Sequence, residues 1–215
     1  MKITFEKIRE LYDISDNSFG LSEHEILDCE IRLSITLPSI LKEYYLQLGN
    51  NSQLNQTQYF LLLPNKIYFD KGDHLIFYSE NQGNAIWGIK REELNFENPQ
   101  VYITYNNDNW TSEGKLLDFL TAMAYLQSIF AFQFNANAVD ISKDIENIVR
   151  DNWERVALKI ELWAVEFFQN TMGEVIALIN SDNQTDLFVA TKTIIDFEKI
   201  NKRLKVNWDY NSSDE

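Results

Sequence analysis

Cysteine is almost absent from this chain: Cys29 stands alone, so no disulfide can form within it, which suits a reducing compartment. Histidine is nearly as scarce. His24 and His74 are the only two, and neither sits in a motif that pairs a nucleophile with a base. No His/Cys pair has zinc spacing, and Asp70-Lys71-Gly72-Asp73 is too short for a calcium loop. Three prolines argue against a linker-rich chain, and seven scattered glycines leave no phosphate-binding loop. No apolar run approaches the ~20 residues that cross a bilayer. Charges run through the N-terminal MKITFEKIRELYD where a signal peptide needs an apolar stretch. The expectation is a cytoplasmic protein that needs no metal or cofactor and is not an enzyme. Cys29 is expected to be a small core residue and Glu92-Glu93 a solvated turn.

What is present is apolar bulk and negative charge. Hydrophobic residues make up 45% of the 215 and aromatics 13%, enough for a sizeable core. The 33 acidic residues outnumber 19 basic ones for a net charge of −14, spread along the whole chain. Such a field repels nucleic acid and anionic membrane and steers a basic partner toward the surface, although acidity also serves solubility alone.

The patterns predict helices over Ile3–Leu11, from a Ser22/Glu25 capping box to about Leu33, and from Pro38 to Leu48. The second would bury Ile26, Leu27 and Ile31. The third would bury Ile40, Leu41, Tyr44, Tyr45 and Leu48, then stop at left-handed Gly49 and Asn50. A polar loop over Asn50–Gln58 precedes short strands over Tyr59–Leu63 and Lys66–Phe69. Val101–Tyr105 is another strand, and Asn106–Asn109 a turn before Trp110. Ser112 is a candidate cap for a helix with Leu116, Leu117, Leu120, Met123, Ala124 and Gln127 on one face, continuing toward Phe134. Phe134–Asp140 is the best candidate for a subdomain seam. A helix over Asp140–Asn152, with Ser142 as a candidate cap, leads to a segment where Trp153, Val156, Ile160, Trp163 and Phe167 fit a helical stripe and Leu158–Phe168 also reads as β-rich; a strand over Glu161–Phe168 is preferred, followed by strands over Glu174–Ile179 and Leu187–Ala190, with turns at 170–173 and 181–184. These strands read as a meander. Thr193–Leu204 closes as a helix, with Asn211–Glu215 frayed. The order is α+β: a mostly antiparallel twisted sheet packed by N-terminal helices and a long helix, then a C-terminal β-meander and closing helix.

The centre of this pattern is His74–Ile89, an apolar strand, the turn Glu80-Asn81-Gln82-Gly83-Asn84, and a strand containing Trp87-Gly88. Upstream lie Leu37-Pro38 and Leu48-Gly49-Asn50. Downstream lie Pro99-Gln100-Val101-Tyr102 and Trp110 followed by Leu116–Leu120. In this order and spacing the segment from roughly Glu23 to Phe134 resembles the SUKH superfamily, the Smi/Knr-like proteins. The resemblance implies a single domain with residues 1–134 as its core and 135–215 as an elaboration. It implies an immunity protein that binds a cognate polymorphic toxin, a basic domain such as a nuclease, and occludes it. A regulatory or scaffolding protein of the Smi/Knr type is the alternative, and an enzyme or small-molecule binder with a pocket beside the hairpin a third. Trp87 and Trp110 belong to the segment of the resemblance, and packing in the core is the first expectation for both. Because aromatic anchors set among polar residues compose protein-binding faces, the partner-binding candidates are Asp70, Asp73, Glu80, Asn81, Gln82, Asp108 and Trp110.

Overall fold

The computed structural model describes residues 5–105, 109–160, 162–181 and 183–214. The fold is α+β, built on two antiparallel sheets with a helix between them. The first sheet contains β1 (Tyr59–Leu61), β2 (Tyr68–Phe69), β3 (His74–Glu80), β4 (Ile86–Lys90), β5 (Gln100–Thr104) and β6 (Thr111–Lys115). Their order is β1-β3-β4-β5-β6, with β2 also pairing to β3. The second sheet has the order β12-β7-β11-β10-β9-β8, from β7 (Phe134–Ala138), β8 (Glu154–Arg155), β9 (Val165–Gln169), β10 (Glu174–Ser181), β11 (Gln184–Thr191) and β12 (Tyr210–Asn211).

Four helices precede the first strand pair: α1 (Glu6–Tyr12), α2 (Glu23–Leu33), α3 (Ser39–Leu48) and α4 (Ser52–Asn55). The long α5 (Leu116–Ala131) joins the two sheets, and α6 (Lys143–Asn152) and α7 (Ile194–Leu204) belong to the second half. Eleven residues of α5 are buried, on every side of it. A helix apolar all round must be covered all round. One core cluster accordingly runs from Leu75, Phe77 and Trp87 of the first sheet through Phe119 and Tyr125 to Phe167, Val175 and Ala177 of the second. A smaller cluster lies where α6 and α7 place Val149, Phe197, Ile200 and Leu204 with Phe168, Ile176 and Val189.

Within this core Gln127 is fully buried. Its Oε1 accepts from the backbone N–H groups of Gln58 at 3.0 Å and Tyr59 at 3.1 Å, and its Nε2 donates to the carbonyls of Leu54 and Tyr59. One side chain thus satisfies backbone groups of Leu54 in α4 and of Gln58 and Tyr59 at the start of β1.

Several sequence expectations hold, the caps to the residue and the meander in strand order. Ser22 and Glu25 form the reciprocal capping box, Ser142 caps α6, and the meander β9-β10-β11 forms in the expected order. Cys29 and Trp87 are buried. Other expectations are corrected. Leu27 and Ile31 of α2 are 51% and 67% exposed, because the face the helix turns inward is that of Ile26, buried as expected, and Cys29. Gly49 does not stop α3 in a left-handed conformation: its φ is −60° and ψ −25°. What demands glycine there is space, since a Cβ would lie 2.8 Å from the Tyr45 carbonyl oxygen. The expected loop after it contains α4, capped by the Asn51 side chain.

Ser112 does not cap α5 but lies in β6. The helix begins at Leu116, and the orphan N–H of Leu117 is met by Asn98 Oδ1 at 3.0 Å, a partner from another segment. It ends at Ala131 rather than continuing to Phe134. The expected seam at Phe134–Asp140 is largely β7, an interior strand between β11 and β12. The strand expected from Glu161 starts at Val165, after Trp163 and Ala164 adopt φ of 49° and 54°. The C-terminus pairs as β12, and Ser212 Oγ accepts from the N–H of Asn135 at 2.9 Å. Ile3, Asn106, Asn107, Asp108, Glu161, Asp182 and Glu215, named or spanned by the sequence expectations, lie outside the described residues.

Candidate partner-binding surface

The Asp70–Asp73 turn feeds β3, and Asp70 builds it from inside. Its Oδ1 accepts from the N–H groups of Gly72 at 3.0 Å and His74 at 2.6 Å. The carboxylate mimics a backbone turn, its side chain only 9% exposed, so it is committed to local structure rather than displayed. Asp73 is displayed. It takes φ of 63°, points outward and receives Arg91 Nε at 3.0 Å, while the Arg91 guanidinium lies 3.6 Å over the Phe69 ring.

His74 follows, buried beneath Trp110, whose ring stacks on it at 4.0 Å and 14°. Gly88 on β4 makes the stack possible, because a Cβ there would come within 3.0 Å of both His74 Cβ and Ile76 Cδ1. Among the described residues neither ring nitrogen of His74 nor Trp110 Nε1 has a hydrogen-bond partner, and His74 Nδ1 lies 3.7 Å from Asp70 Oδ1. Burial holds the His74 pKa below its ordinary 6.5; Lys90 pushes the same way, and Asp70 and the Gly72 backbone oppose it.

The folded state therefore binds fewer protons than the unfolded state over this window. Stability associated with His74 is present above pH 6.5 and is lost as pH falls through that value toward the depressed folded pKa. Thermal unfolding between pH 7.5 and about 5 is expected to show this loss, and His74→Phe is expected to flatten it. Equal slopes in the two proteins would refute the assignment.

At the other end of β3, Glu80 Oε2 accepts from the N–H groups of Gln82 at 2.8 Å and Asn84 at 3.2 Å. Gly83 supplies the positive φ of the turn, 76°. Asn81 is tied to Gln58 through its backbone and through Nδ2 at 3.1 Å, and Gln82 is exposed. The sequence-predicted set is therefore divided. Asp70, Asp73 and Trp110 gather around His74, while Glu80, Asn81 and Gln82 lie a strand's length away, about 20 Å at ~3.4 Å per residue. Asp108 lies outside the described residues.

A second feature meets the Asp73 end. Leu27, Glu30, Ile31, Ser34, Ile35 and Thr36 form one wall of an open groove of ≈ 680 Å³, and Arg91, Leu94 and Asn95 the other. Arg91, held by Asp73, belongs to both features. The Leu27/Ile31 spacing of four residues was visible in the sequence, but spacing alone does not say whether an apolar pair faces core or solvent.

No group of three or more His, Cys, Asp or Glu among the described residues is placed to hold a metal ion. Burial raises the Glu113 pKa against the opposing influence of the Trp87 indole, but no histidine joins them. Trp163 covers this region, stacked on Tyr59 at 5.4 Å and donating from Nε1 to the Tyr105 hydroxyl at 2.7 Å. Among the described residues no helix is long and apolar enough to cross a membrane. Compared with protein-family profiles, curated proteins and solved structures, the chain matches none.

Proposed function

We propose that this chain is a cytoplasmic immunity protein of the SUKH type, which binds a cognate basic toxin domain, such as a nuclease, and blocks its substrate groove by occupying it. The observation that carries the reading is an acidic surface with displayed carboxylates beside exposed apolar side chains, in a chain of net charge −14. Opposite charge speeds encounter, and desolvated apolar contacts slow dissociation. Nothing in this role requires a metal, a cofactor or a reaction.

The test is titration of the protein into a basic toxin domain encoded beside its gene, with toxin activity and complex formation followed as salt is raised. Stoichiometric loss of toxin activity, with association slowing as salt rises, is the expected result. Asp73→Lys is expected to slow association by about 3- to 10-fold with little change in dissociation, as for a rim charge. Unimpaired toxin activity in the presence of saturating protein would reject the reading. Recovery from cells of cell-envelope partners in its place would favour a regulatory scaffold.

A further inference from the structure

The geometry points to a binding site for a small neutral sugar, a mono- or disaccharide, in a pocket on the face of the first sheet turned away from α5. This inference is independent of the immunity reading and asks nothing of a toxin.

The strand register builds the pocket. Leu75, Tyr78, Trp87 and Ile103 belong to the core that α5 shares, so Ile76, Ser79, Ile86 and Thr104 beside them point to the opposite face. There Ser79 pairs with Ile86 and Ile86 with Thr104, a row across β3, β4 and β5. Tyr68 of β2 pairs with Ile76, and directly paired residues share a face. Together with Leu62 and the Gly83-Asn84 turn they line a pocket of ≈ 330 Å³. That volume is at the small end of the range for ligand sites and suits a compact ring rather than an extended chain. Strand pairing fixes its floor, so little ordering cost falls on binding.

The absence of charge selects a neutral occupant. None of the nine residues lining the pocket is charged, in a chain of which 24% of residues are charged. Four other clefts, of ≈ 290, 680, 310 and 530 Å³, each have charged side chains in their walls. Glu80, next to Ser79, accepts from the N–H groups of Gln82 and Asn84. Asp70, two residues from Tyr68, accepts from those of Gly72 and His74. Lys66, also two residues from Tyr68, is outside the lining. An ion entering here would lose water with no opposite charge to meet it.

The polar groups select a polyol. The Ser79 and Tyr68 hydroxyls have no hydrogen-bond partner among the described residues, and Asn84 commits its side chain only through Nδ2, to Gln82 Oε1 at 3.4 Å. Hydroxyls and a primary amide both donate and accept, and sugar hydroxyls ask for both. A polyproline segment offers carbonyl acceptors alone and would leave half of that capacity unused. Ile76, Ile86 and Leu62 supply apolar surface, and Tyr68, 45% exposed, supplies an aromatic ring. A pyranose, with C–H groups on one face and hydroxyls round its edge, is the complement of that lining.

The experiment uses the full chain with maltose, cellobiose, lactose and N,N′-diacetylchitobiose as probes, and glucose 6-phosphate, adenosine and tetraproline as comparisons. Amide shifts in ¹H–¹⁵N spectra locate binding, and calorimetry measures affinity. At least one of these disaccharides is expected to give saturable shifts centred on Tyr68, Ile76, Ser79–Ile86 and Thr104, and glucose 6-phosphate none. Tyr68→Ala is expected to weaken binding about tenfold, by loss of the ring contact. Ser79→Ala is expected to weaken it about threefold, by loss of one hydrogen bond, and serves as the second variant if Tyr68→Ala shifts the unfolding midpoint.

No saturable shift with any of the disaccharides, shifts away from the pocket, or affinity unchanged in both variants would overturn the proposal. So would tighter binding of adenosine or tetraproline at the same residues, which would give the pocket to a nucleobase or to a proline-rich peptide.

Discussion

Gln127→Leu is expected to lower the free energy of unfolding by about 3–5 kcal/mol, because a buried donor or acceptor left unsatisfied costs about 1–3 kcal/mol. Leucine has the right length for the space and adds apolar contact, yet it strands four backbone groups: the N–H of Gln58, the N–H and carbonyl of Tyr59, and the carbonyl of Leu54. Urea unfolding with an unchanged slope measures the loss, and hydrogen exchange at the Gln58 and Tyr59 amides is expected to accelerate first. Gln127→Glu separates the two halves of the network. It keeps the acceptor for both N–H groups, but when ionised it faces two carbonyls with no proton to give. Its stability is therefore expected to recover partly as pH falls and the buried carboxyl takes up a proton. If Gln127→Leu cost less than about 1 kcal/mol, water or backbone movement would be replacing the side chain, and its assigned role would be wrong.

Trp87→Ala is expected to cost about 3–5 kcal/mol, the range for deleting a large buried aromatic where the surroundings cannot collapse. The indole is fully buried at the middle of the first sheet. Its ring meets Tyr78 at 5.8 Å, Tyr59 and Phe119 at 5.9 Å and Trp163 at 5.8 Å. These neighbours come from β1, β3, α5 and the segment before β9, so the cavity would open where four parts of the chain converge. Trp87→Phe keeps most of the volume and is expected to cost about half as much. Denaturant unfolding followed by the remaining tryptophans checks both, and a change under about 1 kcal/mol for the alanine variant would show that this convergence point can repack. Coupling to Gln127 is expected to be measurable in the double variant, since Tyr59 touches both residues.

Local chemistry explains which features were legible beforehand. The capping box at Ser22, the cap at Ser142, the β10–β11 hairpin and the Glu80–Asn84 turn each depend on residues within a few positions of one another. Such features are visible in any window long enough to contain them. The α5 expectation erred at both ends for the opposite reason. Its first N–H groups are met by Pro99 and Asn98, which a local search for caps passes over in favour of the nearer Ser112.

Of the candidate binding residues, Asp70 and Glu80 were recognised as polar turn residues, but their carboxylates bond back to the turn amides. Polarity identified the turns and could not say which acid faces outward. Leu27 and Ile31 failed the other way: a helix with apolar residues on two faces has two ways to pack, and only the position of its neighbours chooses between them.

By itself, then, the amino-acid order determined the α+β alternation, the central hairpin, most helix starts and the net negative charge, because propensity, periodicity, capping and charge act over short range or simply sum. The tertiary structure decided that β7 is an interior strand, that α5 is covered on both sides by sheets, that Gln127 serves the backbone of α4 and the start of β1, and that Asp73, Arg91 and α2 share one surface. Each of those depends on groups far apart in the chain meeting in space, and side-chain periodicity carries no record of which distant group will be there.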